Sequence, residues 1–349
     1  MQIIPYIRDY VSSLMVGAPC FPAGADLRFV KTALGGLDFV CGGNSVVFRA
    51  ERAEGGSVAV KCYRDHQPRR AEVYSLLCEA AVAPWGVLGE FHSEGLTLFQ
   101  GDSILAVDVL LTPWVEGVPL DRRVVELKIE GRTDELRALC DEFDALASWL
   151  LSQRWAHGDL KPDNILVTDN GLQLIDFDAA FVPAMTTPRS ELGTAGYNHP
   201  QRTLDMDCKC VDDWALARIA LALHALTADE GMCVEDVFPW RDECFVRGSK
   251  WFEDLCAMFA RVGDARALRL CEVLCGTFPE VDNLSEIFIH CDSTPTAECT
   301  TFRGRYGWGV QTPDGAVVIP PIWDDIIHKN GAYFGLLRDS VNPLFESQK

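Results

Sequence analysis

The chain has 349 residues, 48% of them hydrophobic and 23% charged, the balance of an ordinary globular protein with room for one large domain and a small appendage. Its 31 basic and 51 acidic residues leave a net charge of −20. Such a surface repels phosphate backbones and anionic lipid, so neither nucleic acid nor a membrane is expected as a main partner.

An amphipathic segment comes first, with Ile7, Tyr10, Val11 and Leu14 at helical spacing, and Pro19, Pro22 and Gly24 end it. Residues 1–33 are therefore expected to form a helical extension. From about Leu34 the pattern turns strand-like, in Leu37–Val40, Ser45–Ala50 and Ser57–Tyr63, with glycines between. A Glu-, Leu- and Ala-rich helix is predicted from Arg69 to Ala83, closed by Pro84 and Gly86, before strands near Leu88–His92 and Ile104–Leu111. After Gly117-Val118-Pro119 the chain becomes mainly helical. Asp134 to Arg154 puts Leu136, Leu139, Phe143, Leu146 and Leu150 on one face. Further helices are predicted at Trp214–Leu226, Trp251–Arg261 and Ala265–Leu274, and strands and turns from Thr301.

No stretch is long and apolar enough to span a bilayer; the best, Trp214 to Ala228, is broken by Arg218 and His224. The start lacks a basic region followed by an apolar core, so no secretory signal is expected. The 14 cysteines include no C-x-x-C pair, and Cys62, Cys78 and Cys140 fall in predicted strands or helices. They read as reduced thiols in a cytoplasmic protein, without a disulfide framework. His290, Cys291 and Cys299 lack zinc-ligand spacing, and no metal is expected there.

The chemistry is concentrated in His157-Gly158-Asp159-Leu160-Lys161-Pro162-Asp163-Asn164, followed by Ile175-Asp176-Phe177-Asp178. The first block resembles the protein-kinase catalytic loop H-R-D-L-K-x-x-N and the second the D-F-G metal-binding turn. Val58-Ala59-Val60-Lys61 resembles V-A-I-K. Gly193-Thr194-Ala195-Gly196-Tyr197-Asn198-His199-Pro200-Gln201 resembles G-T-x-G-Y-x-A-P-E, and Asp212-Asp213-Trp214 resembles the start of D-x-W-S-x-G. In this order the motifs are similar to those of the bacterial serine/threonine protein-kinase-like family, over Val40 to Phe288.

The resemblance implies an α+β, bilobal protein-kinase-like fold over 34–290. It would have a β-rich N-lobe at 34–112, a helical C-lobe at 116–290 and a small C-terminal β appendage at 301–349. It implies ATP and Mg2+ as cofactors and phosphoryl transfer to Ser or Thr hydroxyls of a protein substrate. Asp159 would accept the hydrogen of the attacking hydroxyl, Lys161 would steady the transferring phosphate, and Thr194 would sit beside both. Asn164 and Asp176 would hold magnesium. Lys61 would contact the α- and β-phosphates and pair with Glu72 on the following helix, with Glu79 as the rival. Gly42 and Gly43 stand where a glycine-rich loop would cradle phosphate, although a plain hairpin turn fits the stretch nearly as well. Thr112 would be the gatekeeper, with Pro113 and Val115 as adenine contacts.

Departures from the pattern are Gly158 for the arginine, Asp178 for the last glycine, His199 and Gln201 around Pro200, and the incomplete glycine loop. None removes a metal or proton ligand. A nucleotide-binding pseudokinase scaffold and a small-molecule kinase stay open as alternatives, the second because Gly-Asp also occurs in small-molecule phosphotransferases. The tail, Arg305 to Asp325, is similar to one unit of the WG repeat: a strand, a Pro-Asp-Gly turn and a strand ending in Pro-Pro. A second pass would begin at Gly331. Such a unit is expected to pack on the C-lobe or to dock a protein partner.

Overall fold

The computed structural model describes residues 5–78, 82–199, 201–234, 238, 245, 249–275, 284–289, 300–303, 308–311, 317–323, 325–329, 332–337 and 340–346. They fall into two compact units, residues 1–117 with 173–189, and residues 118–172 with 190–349.

The first unit contains helix α1 (Ile7–Val16), strands β1 (Leu27–Phe29), β2 (Phe39–Cys41), β3 (Ser45–Arg52) and β4 (Ser57–Tyr63), helix α2 (Pro68–Leu77), and strands β5 (Glu90–Gln100) and β6 (Ser103–Pro113). The strands form one six-stranded antiparallel sheet in the order β1-β3-β4-β6-β5, with β2 also on β3. Because side chains alternate along a strand, Val46, Phe48 and Ala50 of β3 and Val58, Val60 and Cys62 of β4 share the buried face. Leu96, Leu98 and Val109 complete this core, and Tyr10, Leu14 and Phe21 from the N-terminal segment belong to it. The Tyr10 hydroxyl donates to the Tyr63 carbonyl at 2.9 Å and ties α1 to the end of β4.

Several boundaries differ from the sequence expectation. The stretch 1–33 is not wholly helical, since β1 pairs Leu27 with Arg52 and Phe29 with Ala50. Helix α2 ends at Leu77 rather than Ala83, and Glu79 lies outside the described residues. The β5–β6 hairpin is longer than expected because Ser93-Glu94-Gly95, which looks like a turn, is a bulge within β5. Glu94 has φ 51° there, and its N–H donates to the buried Asp108 carboxylate at 2.9 Å.

The second unit begins with β7 (Val118–Pro119), α3 (Leu120–Ile129) and α4 (Thr133–Ser152). Strands β8 (Ile165–Thr168) and β9 (Gly171–Leu174) join β7 in a small sheet. Helices α5 (Asp213–Ala228), α6 (Lys250–Val262), α7 (Ala265–Leu274) and α8 (Leu284–Ile289) follow. The predicted face of α4 is buried: Leu136, Leu139, Phe143, Leu146 and Leu150 are all 5% exposed or less. Helix α5 is apolar around most of its girth and buried from Trp214 to Leu223, the pattern of a central helix. Sharp punctuation separates α6 from α7. Gly263 closes α6 in the left-handed conformation, and the Asp264 side chain caps α7 by accepting from the Ala267 N–H.

The tail forms two three-stranded antiparallel sheets, β10 (Thr300–Arg303), β11 (Trp308–Gln311) and β12 (Val317–Trp323), then β13 (Asp325–Lys329), β14 (Ala332–Leu337) and β15 (Ser340–Glu346). Trp308 pairs with Trp323 and Gln311 with Val317, and β12 lies against α4. Val310 is fully buried.

Among the described residues, no helix is long and apolar enough to cross a membrane. Cys208 and Cys210 are joined by a disulfide, against the expectation that every thiol is reduced. It closes a loop too short to constitute a framework. His290, Cys291 and Cys299 lie outside the described residues.

Candidate functional site

In the first unit the chemistry gathers around Lys61. Strand pairing sets this residue opposite Val47 on one side and Leu110 on the other. Its Nζ donates to Asp176 Oδ1 at 2.7 Å and to Asp178 Oδ2 at 2.8 Å. Burial alone would lower the pKa of the ammonium, but the charges of Asp176 and Asp178 outweigh it and leave the pKa raised, so Lys61 stays charged. Asp176 holds a left-handed backbone with φ 65°, a strained conformation for a residue bearing a Cβ.

Asp178 is the anchor of this group. Its Oδ1 accepts from the hydroxyls of Tyr63 and Tyr74 at 2.7 and 2.8 Å, while Arg70 Nε lies 3.7 Å from Oδ2. Tyr63 and Arg70 are 2% exposed or less. Burial first, and then the Asp178 charge, pushes both tyrosine pKa values well above the usual phenol range, so both keep the hydrogens they donate.

Glu72, the expected partner of Lys61, is committed elsewhere. Its Oε1 accepts from the Thr186 N–H and hydroxyl, the latter at 2.8 Å, and its Oε2 accepts from the Thr187 N–H at 2.9 Å. The Thr187 hydroxyl, with the Thr186 and Thr187 amides, holds the Glu72 carboxyl down at about 2. The folded value thus lies below the ordinary 4.5, so the grip is fully present above that pH and fades as pH falls toward about 2. Arg69, one turn away, donates to the carbonyls of Thr187 and Ala180 at 2.7 and 3.0 Å. Helix α2 therefore holds the segment after Asp178 through Arg69 and Glu72, and Asp178 itself through Tyr74.

Gly42 and Gly43 form the β2–β3 turn, where the Gly42 N–H donates to the Ser45 carbonyl at 2.9 Å. A Cβ on Gly43 would meet nothing within 4 Å, so packing does not demand glycine there. Thr112 faces Ala59 across β4–β6, and Pro113 ends the strand opposite Val58. Val115 follows, half-buried, and beyond it Glu116 pairs with Arg49.

In the second unit the loop Ala156–Asn164 brings Asp159, Lys161 and Asn164 together with Thr194. The Asp159 carboxylate accepts from the Thr194 backbone N–H at 2.6 Å, and Lys161 Nζ lies 3.8 Å from its other oxygen. Asn164, 5% exposed, donates through Nδ2 to the Asp159 carbonyl at 2.8 Å. The amide hydrogens are thus turned to Asp159, and Oδ1 is the other branch of the amide. The expected neighbours of Asp159 are thus beside it, although Thr194 makes this contact through its backbone N–H.

Two glycines make the loop possible. Gly158 has φ 84°, a conformation that penalises any side chain with a Cβ, which accounts for its replacing the usual arginine. Gly193, also at φ 84°, passes so close that a Cβ would lie 3.0 Å from Asp159 Oδ1 and 3.1 Å from the Gly158 carbonyl.

Sequence reasoning missed the brace beneath the loop. Asp212, 3% exposed, accepts from the backbone N–H groups of His157 and Gly158, the second at 2.8 Å. The signal available was the Asp212-Asp213-Trp214 motif, read only as a helix start.

Each unit offers an oxygen donor of the kind a hard cation takes: in the first the Asp176 carboxylate, with its side chain 39% exposed, and in the second the amide of Asn164. In the first unit Lys61 is a fixed positive charge, and in the second Lys161 lies beside the Asp159 carboxylate. The architecture, an antiparallel sheet first and helices after it, is compatible with a kinase-like fold. Residues 88–185, the stretch that carries Asp159, Lys161, Asn164, Asp176 and Asp178, match a known family, APH, described as the phosphotransferase enzyme family.

Proposed function

We propose that this chain transfers the terminal phosphoryl group of ATP, with Mg2+, to a Ser or Thr hydroxyl of a protein. The observation that carries this reading is the Asp159 carboxylate, fixed by the Thr194 N–H and flanked by Lys161 and Asn164. Phosphoryl transfer asks little covalent chemistry of a protein; it asks for position and charge. Asp159 orients the acceptor hydroxyl and takes its hydrogen. Lys161 steadies the phosphoryl oxygens, and Lys61, kept charged by its two carboxylates, binds the α- and β-phosphates. Asn164 and Asp176 are the oxygen ligands for magnesium. When bound, that ion neutralises charge developing on the phosphates. Pro113 and Val115 receive adenine with Thr112 as gatekeeper, and the β2–β3 turn of Gly42 and Gly43 approaches the phosphates through the Gly43 backbone N–H.

A second reading, a small-molecule acceptor, is favoured by the family match and by Gly158-Asp159. Incubating the purified chain with γ-labelled ATP and Mg2+, alone and with candidate proteins or metabolites, separates the readings. Label in protein supports the first, and label only in a small molecule supports the second. ATP binding without transfer to any acceptor leaves a scaffold. An Asp159→Ala control that labels as well as the wild type removes Asp159 from the chemistry.

Activity is expected not to depend on phosphorylation near Thr186. Such a phosphate commonly orders a segment by pairing with arginine. Here Glu72 already holds the unmodified threonines, and a phosphate on Thr186 would meet that carboxylate. Phosphatase treatment should leave the rate unchanged, and Glu72→Ala should speed protease cleavage at 182–189. A large fall in rate after phosphatase contradicts this arrangement.

A further inference from the structure

Outside the catalytic loop, helices α4, α5 and α7 converge on a buried cluster of metal-binding groups. Cys140 and Asp144 stand one turn apart on α4, where residues four apart share a face. His224 comes from α5, and the ligating atoms of all three lie within 4.8 Å of one another. Cys140 and Asp144 are 3% and 4% exposed, and the His224 side chain is 12% exposed.

The hydrogen bonds around the cluster leave a coordination set. His224 Nδ1 lies 2.6 Å from Asp264 Oδ2, a contact that keeps a hydrogen on Nδ1 and leaves Nε2 as the atom to ligate a metal once its own proton is displaced. Asp264 is rigid in turn, because its other oxygen caps α7 at Ala267. Nε2 faces Asp144, 3.1 Å from Oδ2. Arg266 donates to that same oxygen. The second oxygen, Oδ1, is buried and accepts no hydrogen bond among the described residues. A buried carboxylate oxygen without a donor demands an explanation.

We propose that Cys140 Sγ, Asp144 Oδ1 and His224 Nε2 form a structural site for a divalent cation of the zinc class, with Asp264 orienting the imidazole. A thiolate and an imidazole select zinc over magnesium, and three protein ligands leave one position for water. The charges also close. Without metal, a protonated His224 and Arg266 balance Asp144 and Asp264. With metal, the cation and Arg266 balance Asp144, Asp264 and the Cys140 thiolate. Each ion bound displaces two protons, one from Cys140 and one from His224, so the buried net charge is unchanged. The ion would cross-link α4 and α5, with α7 held through Asp264.

Cobalt(II) is the probe, added to the full chain after exhaustive treatment with a chelator. One equivalent should bind and give visible bands of a tetrahedral site with a near-ultraviolet thiolate-to-cobalt band, all removed by Zn2+. Cys140→Ser should lose the thiolate band, while Cys41→Ser, at an exposed position, should keep it. Zn2+ should raise the melting temperature of the wild type and leave that of Cys140→Ser unchanged. A thiolate band that survives Cys140→Ser overturns the site. If Cys140→Ser fails to fold, the chelated wild type decides alone. Neither a cobalt band nor a zinc-dependent melting shift would then mean that the cluster is an ion-pair network only.

Discussion

Replacing Asp159 by Asn should reduce phosphoryl transfer by roughly 10²–10⁴-fold while ATP affinity changes little, the loss typical of a positioned proton acceptor. Asn preserves the shape of the side chain, and its oxygen can still accept from the Thr194 N–H. The loop should therefore keep its geometry, with Asp212 bracing His157 and Gly158 from below. What the variant lacks is the carboxylate charge that attracts the hydroxyl hydrogen and pairs with Lys161. The expected signature is a fall in kcat with a nearly unchanged KM for ATP. Asp212→Asn makes the informative contrast, since it keeps one acceptor oxygen and weakens the brace. It should lower the melting temperature as well as the rate. Wild-type transfer by Asp159→Asn would mean that the carboxylate has no part in the chemistry.

How far these groups were legible from sequence depends on how local they are. Asp159, Lys161 and Asn164 belong to one loop of a few residues, so their mutual positions follow from the backbone between them. Strands β3 and β4 and the buried face of α4 were legible for the same reason. Asp212 was not, because its contacts run to backbone amides more than fifty residues away and leave no mark on either local pattern. Strand β1 was missed because a three-residue strand owes its existence to its pairing with β3 rather than to its own propensity. The partner of Lys61 was misread for a different reason. The family resemblance offered Glu72, with Glu79 as the rival, yet the two carboxylates found on Lys61 belong to Asp176 and Asp178, where the second acid had looked like a mere departure from D-F-G.

That departure leads to the other large effect, Asp178→Gly, which restores the common motif and should damage the protein. The carboxylate removed accepts from the Tyr63 and Tyr74 hydroxyls and pairs with Lys61, in a setting where Tyr63 is 0% and Tyr74 3% exposed. Deleting it takes the acceptor from two buried hydroxyls and leaves Arg70, among the described residues, with Asp65 as its close acidic partner. Stranding buried polar groups and breaking a buried ion pair costs about 3–5 kcal/mol. At this chain length that corresponds to a fall of roughly 4–7 °C in melting temperature. Lys61 would keep Asp176, but that residue is more exposed and is also the proposed magnesium ligand, so the two demands compete. A rise in KM for ATP is therefore expected beyond what destabilisation explains, measurable well below the melting transition. Asp178→Asn separates the contributions, because its oxygen can still accept from both tyrosines while the charge beside Lys61 is gone. It should recover much of the melting temperature and little of the ATP affinity. If Asp178→Gly melts and binds ATP like the wild type, then Lys61 does not depend on Asp178, and a glutamate on α2 regains its claim as the partner.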